Sequence, residues 1–512
     1  MWPDQTREGM DWLRLIDAWP QVADEPRRRL FAQPARVART FGLVAAVLAS
    51  PGGFAPADAQ TTPASGKVTP VLSVRARLES WNGFGDAAGD DYVYGHALLR
   101  AGLQQQRPTF GWRVEFAAPV VFGAPDDATQ GHGASYYRAN GSERTIAQFF
   151  PKQVYLRFGR EPEGHHLRAG RFEFSETSEV TPADPTLAAA KRRSVMQRLI
   201  GPFLFTQGAR SLDAVEYGWT GDGLNVTLLG ALPTVGVFNL DGWGHVAEMP
   251  VGYAAVTGQG PWSRERSEWR VFAVGFRDDR GLVKADNRPQ AVREADREPI
   301  EVATLGAHLL QVIPTSAGPV DMALWGAGQF GDWGTLRHRA WATDFEIGWQ
   351  PKDVAWRPWL RLGLFASSGD ADSLDATHGT WFQNLATPRI YARFPFYNLT
   401  SVRDWSASVM LRPSSRLTLR ADVRALQIGD AADGWYAGSG PYDEQTFGIS
   451  YRPSGGSRDL GTLIDLSADL QLSPRWTLSA YGGVAPSGDV IRASAPSGSA
   501  GSFAILELEY RR

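Results

Sequence analysis

Apolar and polar residues alternate along many stretches of this 512-residue chain. In residues 415–427, one parity holds Leu417, Leu419, Ala421, Val423 and Ala425, and the other holds Thr418, Arg420, Asp422 and Arg424. Residues 71–79 and 459–472 show the same pattern, with charged side chains opposite an apolar face. A period of two residues is typical of β-strands whose two faces meet different surroundings. Strands of about ten residues with one wholly apolar face predict an all-β fold, a single transmembrane antiparallel β-barrel.

A large soluble sandwich or propeller is the alternative, because its strands also alternate. Two features favour the barrel. The segments are longer than the usual strand of about 5–6 residues. Aromatic residues also mark their ends, as in the girdles of outer-membrane barrels; these are Trp81, Trp112, Trp219, Trp349, Trp405 and Trp476.

The alternating segments number about 18, an even count as in bacterial single-chain barrels. They are residues 71–81, 93–105, 110–119, 152–159, 165–174, 208–219, 223–232, 249–258, 267–277, 302–313, 319–330, 339–349, 355–366, 402–412, 415–427, 459–472, 475–485 and 501–511. Short and long connections alternate, which places the short turns in the periplasm and the long loops outside. Residues 444–452 also alternate, but counting them would break the parity, so we assign them to an extracellular hairpin extension.

Composition narrows the class of protein further. The 52 basic and 55 acidic residues leave a net charge of −3, so the chain offers no basic field for nucleic acid. A mean hydropathy of −0.27 is unlike that of a helical membrane protein. The absence of cysteine excludes disulfides, thiolate metal sites and cysteine nucleophiles. We expect no cofactor and no metal.

The N-terminus carries the one long apolar run, residues 40–50, after Arg36 and Arg39 and before Ala57-Asp58-Ala59. This arrangement predicts a secretory signal peptide that is cleaved after Ala59. Residues 1–59 are therefore assigned to the signal peptide with a mis-called upstream extension, residues 60–70 to a short periplasmic lead, and residues 71–512 to the barrel. The expected location is the bacterial cell outer membrane.

The inward parity of the strands is rich in arginine. Its cations are Arg75, Arg77, Arg100, Arg113, Arg157, Arg168, Arg270, Arg361, Arg420 and Arg424. Its acids are Glu79, Glu115, Asp213, Asp344, Glu346, Asp422, Asp465 and Asp469. Guanidinium groups bind carboxylates and phosphates in a bidentate manner, so these faces predict passage of an anionic solute. The alternative is that the charges mainly pair across strands. Arg171 has the opposite parity to Arg168.

Three stretches then resemble a known family. They are residues 167–174 with 198–215, LRAGRFEF and RLIGPFLFTQGARSLDAV; residues 367–400, which contain HGTWFQNLATPRIYARFPFYN; and residues 456–483, GSRDLGTLIDLSADLQLSPRWTLSAYGG. Each is similar to a segment of the alginate-export outer-membrane proteins. The resemblance implies a monomeric barrel of about 18 strands whose electropositive pore passes the polyuronate alginate. A long extracellular loop and a periplasmic turn would gate it.

The resemblance also assigns residues. It places Arg168, Arg171, Asp213, Asp459 and Asp465 at lumen or rim positions. Arg389 and Arg393 become candidates for an extracellular binding or gating element. The last segment, SFAILELEYRR, resembles the C-terminal strand that the barrel-assembly machinery recognises. The implied partners are therefore outer-membrane lipid, an anionic polysaccharide or oligosaccharide, and that machinery during insertion.

Three other functions are alternatives: another kind of channel, an enzyme, and a soluble secreted adhesin that would be released without detergent. A general or small-anion diffusion porin is the alternative channel. An enzyme is not expected, because His96, His165, His166 and His308 have no catalytic partner at a convincing spacing and no G-x-S-x-G or H-E-x-x-H motif occurs. Residues 369–379 resemble a calcium loop slightly, but they lack the EF-hand spacing of acidic residues.

Overall fold

A computed structural model describes residues 66–84, 88–160, 163–260, 262–263, 265–496 and 498–512. The predicted signal peptide and the start of the predicted periplasmic lead lie outside these residues. Among the described residues, no helix is long and apolar enough to cross a membrane.

Eighteen long strands pair antiparallel in chain order. They are β1 (Val68–Asn82), β2 (Asp91–Gln106), β3 (Phe110–Phe122), β4 (Phe150–Gly159), β5 (Gly164–Phe172), β6 (Leu212–Gly221), β7 (Leu224–Pro233), β8 (Val251–Gln259), β9 (Ser267–Asp278), β10 (Ile300–Ile313), β11 (Val320–Trp333), β12 (Leu336–Trp349), β13 (Trp359–Ser367), β14 (Val402–Leu411), β15 (Leu417–Ile428), β16 (Asp459–Ser473), β17 (Trp476–Pro486) and β18 (Ala500–Arg511). The first strand pairs with the last, from Ser73 opposite Arg511 to Asn82 opposite Ser502. The sheet therefore closes into a barrel without a free edge.

The sequence-based prediction of an 18-strand barrel is confirmed. Every predicted segment overlaps one strand, and the ends shift by a few residues. Residues 355–358 are an example: they were predicted as strand but lie in a turn before β13, where Pro358 cannot donate to the ladder. The predicted hairpin extension is also present, because Ile449–Pro453 pairs with Gly434–Gly438 in a separate two-stranded sheet.

The outward faces form an apolar band. On β12, exposed Trp341, Phe345 and Trp349 share one face, and on β13 Leu362 is 61% exposed. The eight residue steps from Trp341 to Trp349 span roughly 20 Å along the barrel axis at the usual strand rise and tilt. This height fits the apolar band of about 25 Å, flanked by aromatic residues, of an outer-membrane barrel.

Six long loops lie at one end of the barrel, which we call the outer end, together with short connections such as the turn at residues 334–335; the opposite end is the inner end. The long loops are residues 123–149, 173–211, 234–250, 279–299, 368–401 and 429–458. They carry the helices α1 (Gly131–Ala139), α2 (Pro185–Ser194) and α3 (Gln290–Ala295), and α4 (Asp489–Ser494) precedes β18. The strand Thr145–Ala147 pairs with β3, and Thr377–His378 pairs with β12. The strands form a regular wall, and the irregular shape of the lumen therefore comes from the loops.

Candidate pore constriction

The 173–211 loop leaves β5 at the outer end and runs down inside the barrel. Its helix α2 begins after Asp184, whose carboxylate accepts a hydrogen bond from the backbone N–H of Thr186 over 2.8 Å. Asp184 also lies 3.5 Å from Arg266, and Gln350 donates to Thr186 Oγ1 over 3.2 Å. Arg266 and Gln350 belong to turns at the inner end. The loop therefore extends through the whole lumen.

The 368–401 loop joins it inside the barrel. The backbone N–H of Gly201 donates to Leu385 O over 2.9 Å, and the N–H of Leu385 donates to Leu199 O over 2.8 Å. Thr387 N also donates to Gln197 O over 3.1 Å. We call residues 173–211 and 368–401 together the lumen plug, because these backbone bonds couple the two loops.

Arg210 fastens the plug to a third loop. Its Nη1 donates to the carbonyl oxygens of Gly201 and Leu385, at 3.3 and 2.8 Å, and its Nη2 donates to Pro441 O at 2.8 Å. The side chain is buried and makes no ion pair among the described residues. Burial lowers the pKa of Arg210 to about 10, so the group stays charged at neutral pH. One cation thus holds backbone from the 173–211, 368–401 and 429–458 loops.

Between the plug and strands β12–β15 lies a cavity of about 100 Å³. We call it the arginine cavity, because guanidinium groups outnumber carboxylates in its lining. The cations are Arg192, Arg193, Arg198, Arg361, Arg420 and Arg424, and the acids are Asp344, Glu346, Asp404 and Asp422. Alternation on the four strands explains why these charged residues point inward together.

Most of the wall arginines here are paired. Arg361 donates to Asp321 and, over 2.8 Å, to Glu346. Arg420 donates from Nη2 to Asp422 Oδ1 over 2.6 Å. Arg424 donates to Asp404 in the same way. These pairs satisfy buried charges and fix the guanidinium groups at the cavity wall.

Arg193 differs from them. It makes no ion pair among the described residues, and its one hydrogen bond, from Nη2 to Ser408 Oγ, is long at 3.4 Å. Its guanidinium lies 5.4 Å from the centroid of the Trp359 ring. Burial, together with the positive charges of Arg420 and Arg361, lowers the pKa of Arg193 to about 9. A cation that is short of partners in a cavity is an attractive position for a carboxylate.

Arg75 and Arg77 lie on the inward face of β1, as predicted, but they hold the plug. Arg75 donates to the carbonyl oxygens of Leu204 and Thr206, at 2.7 and 2.8 Å. Arg77 donates to Phe205 O at 2.9 Å. Because β1 is far around the barrel from β12–β15, the 173–211 loop bridges the lumen.

Other predicted residues also face inward and are paired. Arg113 pairs with Glu115 at 2.6 Å, and Arg168 donates to Glu216. Arg157 donates from Nη2 to Gln106 Oε1 over 3.0 Å. Asp469 is exposed near the inner end and accepts from Ser479 Oγ over 2.6 Å. These residues line the wall of the barrel, away from the arginine cavity.

Asp213, which strand parity placed inward, requires a correction, because neither it nor its partner Arg171 faces the lumen. Arg171 donates to both carboxylate oxygens of Asp213, at 2.6 and 2.7 Å, and to Gly242 O at 2.6 Å. They share the outward parity of exposed Leu167 and Val215, at the outer rim. Neighbouring positions of a strand face opposite sides. Arg168 and Arg171 are three positions apart, so Arg168 faces inward and Arg171 faces outward. Asp459 is exposed at the outer start of β16.

Arg389 and Arg393, predicted for an extracellular element, lie deep in the lumen within the plug. Arg393 Nη1 is 3.3 Å from Asp465 and 3.6 Å from Asp422, both on the barrel wall. Arg389 lies between aromatic rings, 4.5 Å from the centroid of Phe205 and 4.7 Å from that of Tyr481. Burial lowers the pKa of Arg389 to about 10. The loop folds inward because its aromatic and arginine side chains have their partners there.

The sequence pattern predicts an outer loop for residues 175–207. It therefore does not reveal the cavity cations of the plug, Arg192, Arg193 and Arg198. One local signal was present. Asp184 followed by Pro185 and an alanine-rich, basic segment is typical of the start of a helix. An exposed loop would not need such a signal. Recognising α2 would have raised the question of what it packs against.

The histidines that were weighed as catalytic residues have structural partners. His96 lies 2.9 Å from Glu79, and His308 lies 3.0 Å from Glu268. His165 lies 2.7 Å from the hydroxyl of Tyr217. Within the part of the chain that the structure describes, no three histidine or acidic side chains are placed to hold a metal ion.

Comparison with known proteins agrees with this architecture. The family model described as alginate export matches residues 281–504, from the loop before β10 to β18. No curated protein matches the chain significantly. Among solved structures, OpdK of Pseudomonas aeruginosa has a TM-score of 0.53 at 9% identity, over 87% of this chain and 98% of that one.

Two further structures have the same fold. A BenF-like porin from Pseudomonas fluorescens Pf-5 has a TM-score of 0.53 at 8% identity, over 87% of this chain and 98% of the porin. OccK2 (OpdF) of Pseudomonas aeruginosa in complex with glucuronate has a TM-score of 0.52 at 9% identity, over 87% and 97% of the two chains. At such low identity these likenesses concern the fold alone.

Proposed function

Because the chain is an outer-membrane β-barrel porin of the alginate-export family, we propose that it passes an anionic saccharide through the arginine cavity. The solute of this proposal is a uronate or an oligomer of uronates. Its carboxylates would move between the guanidinium groups of the plug and those of strands β13 and β15. Since one closed barrel contains the whole cavity, a single chain suffices as the channel.

Arg193 carries the proposal. The guanidinium groups of the wall, Arg361, Arg420 and Arg424, already have carboxylate partners, whereas Arg193 on the plug is partly buried, makes no ion pair among the described residues and faces the cavity. A carboxylate beside it would relieve the repulsion from Arg361 and Arg420, which lower its pKa. Charge-assisted hydrogen bonds of this kind are about twice as strong as neutral ones.

Uronates fit better than phosphates for two reasons. Ser406 and Ser408 line the same cavity and offer hydroxyl groups for sugar oxygens. A barrel of the same fold, OccK2, was solved in complex with glucuronate.

The small cavity favours a second candidate, a porin for small anions. A volume of about 100 Å³ leaves little room beside the plug. Passage of a polymer requires the plug to move, whereas a small anion needs only side-chain motion. The two candidates share the same arginine residues and differ in the largest solute that crosses.

Block of single-channel current in planar bilayers tests the proposal. We expect glucuronate to block the native channel and uncharged glucose to leave it open at the same concentration. In Arg193→Gln, the half-blocking concentration should rise roughly tenfold, the loss of about 1.4 kcal/mol in a charge-assisted contact. The matched control is Arg339→Gln, which removes the same charge from the outward face of β12.

The length of the anion separates the two candidates. Block by uronate oligomers that grows stronger with chain length supports passage of a saccharide polymer. Block by glucuronate but not by its oligomers supports the small-anion porin. Equal block of the native channel and Arg193→Gln would contradict a role for the arginine cavity in either.

A further inference from the structure

Two histidines face each other at the outer end of the barrel. His338 lies near the start of β12, and His378 lies in Thr377–His378, which pairs in parallel with β12. Their Nδ1 atoms are 2.9 Å apart, and both residues are buried. A neutral imidazole has one N–H and one bare nitrogen. The contact therefore requires the two rings to play opposite roles.

Gln329 decides which ring donates. Its Nε2 donates to Phe382 O over 2.7 Å, and its Oε1 accepts from the backbone N–H of Phe382 over 3.0 Å. A carbonyl only accepts and a backbone N–H only donates, so the orientation of the amide is fixed. The same Oε1 lies 3.1 Å from His338 Nε2, which must carry a hydrogen. His338 Nδ1 is then the acceptor, and His378 Nδ1 is the donor.

The last nitrogen of the pair, His378 Nε2, is buried and has no hydrogen-bond partner among the described residues. A proton added there would create a buried cation without an acceptor. A proton added to His338 Nδ1 would set two N–H groups against each other and break the contact. The closed pair therefore holds one hydrogen between its rings and rejects a second proton.

The surroundings of the pair are close to neutral. Trp333 stacks on His378 with 4.2 Å between ring centroids and donates from Nε1 to Asp286 over 2.9 Å. Asp286 pairs with Arg288, and Asp296 pairs with Arg288 and Lys284. The Trp333 face attracts a cation. Burial, with the positive charges of His338 and Arg288, nevertheless holds the pKa of His378 well below its usual value.

We propose that His338 and His378 form an acid-sensitive clasp, which holds residues 369–381 against the outer ends of β11 and β12 and releases them on proton uptake. We call residues 369–381 the outer arm. A released histidine regains a pKa near 6.5. Well below that pH, each histidine shifts the equilibrium between the closed and the released arm about tenfold toward release for each pH unit. This continues until the ring also takes up a proton in the closed arm. Because each ring is already half protonated at pH 6.5, it gives about fivefold between pH 6.5 and pH 5.5, and two rings give about 30-fold.

Asp370 on the same arm works in the opposite direction. Burial, and the negative charge of Asp433, raise its pKa to about 6. A carboxyl group whose pKa is raised in the closed arm stabilises that arm below its ordinary pKa near 3.8, and this stabilisation is lost as the pH rises through 6. Asp433, which accepts from the Asp370 N–H over 3.0 Å, also has a raised pKa and acts in the same direction. Asp370 offsets about threefold of the histidine effect over this range, so we expect a net increase in release of about threefold to tenfold, and a larger one in Asp370→Asn.

Thiol labelling of the full chain measures this release directly, because the chain has no native cysteine. Thr380→Cys puts a thiol at a position of the arm that is 1% exposed, and Leu374→Cys puts one at its tip, where Leu374 is 82% exposed. A pyridyl disulfide, which reacts at acid pH, labels both. The labelling rate of Thr380→Cys divided by that of Leu374→Cys follows the released fraction, because the pH dependence of the thiol reaction itself cancels.

We expect this ratio to rise about threefold to tenfold from pH 6.5 to pH 5.5 with the native histidines, and to fall in the double variant His338→Gln/His378→Gln, where the carboxyl groups of Asp370 and Asp433 still titrate. A flat ratio in the native background would overturn the proposal. An equal rise in the double variant would overturn it too, because another group would then be responsible.

The tautomers give a second measurement, in case the double variant does not close at pH 7.5. With ¹⁵N-labelled histidine in the native chain, NMR should find His338 protonated at Nε2 and His378 at Nδ1. The same tautomer on both rings would contradict the clasp. Neither histidine lines the arginine cavity, so anion selectivity at pH 7.5 should not change in these variants. A failure of the clasp and a failure of the proposed function are thus separate results.

Discussion

Arg198 of the lumen plug donates a hydrogen bond from Nη2 to Asp344 Oδ2 on β12 over 2.7 Å. Both side chains are buried. The same guanidinium lies 4.2 Å from the centroid of the Tyr391 ring, which belongs to the other loop of the plug. One cation thus links the barrel wall to both loops at the edge of the arginine cavity.

Removing Arg198 should release the plug from β12. Arg198→Ala leaves Asp344 buried without its cation, and breaking a buried ion pair from one side costs about 3–5 kcal/mol. We expect a lower midpoint of thermal unfolding and a larger, noisier single-channel conductance. Both measurements use the same purified protein.

Arg144→Ala is the matched control for Arg198→Ala. Arg144 pairs with Asp126 at 2.8 Å, but both side chains are about half exposed. Exposed pairs contribute about 0–1 kcal/mol, so this variant should behave as the native chain. An Arg198→Ala channel with native conductance would show that the pair does not hold the plug.

Arg210 should couple three loops. Arg210→Met keeps an unbranched side chain but leaves the carbonyl oxygen of Pro441 without the Arg210 donor, at about 1–3 kcal/mol for a buried group, and leaves Leu385 O with the Gly201 N–H as its donor. Hydrogen exchange at the Gly201 and Leu385 amides should accelerate, because the ladder between the loops loses its support. Unchanged exchange at both amides would mean that the backbone hydrogen bonds hold the loops together without Arg210.

Glu176 should make the plug sensitive to pH. Its carboxylate is buried and accepts from the Leu199 N–H over 2.8 Å, and burial raises its pKa to about 7. A carboxyl whose pKa is raised by packing stabilises the packed state below its ordinary pKa near 4.5, and this is lost as the pH rises through 7. Between a pH below 4.5 and a pH above 7, the free energy of the packed plug relative to the unpacked plug changes by on the order of 3 kcal/mol.

Channel noise measured from pH 5 to pH 8 checks this prediction. Plug opening should become more frequent as the pH rises in the native chain and should be nearly independent of pH in Glu176→Gln, which stays neutral. The same pH dependence in both would assign it to another group. This trend is opposite in sign to that of the histidine clasp, so the two are separable.

The barrel could be predicted from sequence because alternation is a local property. Each strand shows its own parity, as in Leu417 to Ala425, and the even count follows from the alternating loop lengths. The inward direction of Arg361, Arg420 and Arg424 follows from the same parity. Parity failed near a strand end, at Asp213, which faces outward at the rim.

The constriction could not be predicted in the same way, because it depends on contacts between residues far apart in the chain. Nothing local to residues 175–207 indicates that the loop runs inward to reach Asp344 or Arg361. The pairing of Leu385 with Gly201 joins two loops separated by more than 180 positions. Without periodicity, such contacts leave no pattern in the sequence.

The reversal potential of the open channel in a gradient of potassium chloride tests the central claim most directly. We predict that the native channel prefers chloride over potassium, and that Arg193→Gln reduces this preference while Arg339→Gln does not. A native channel that prefers potassium would contradict the assignment of the arginine cavity as the path of an anionic solute.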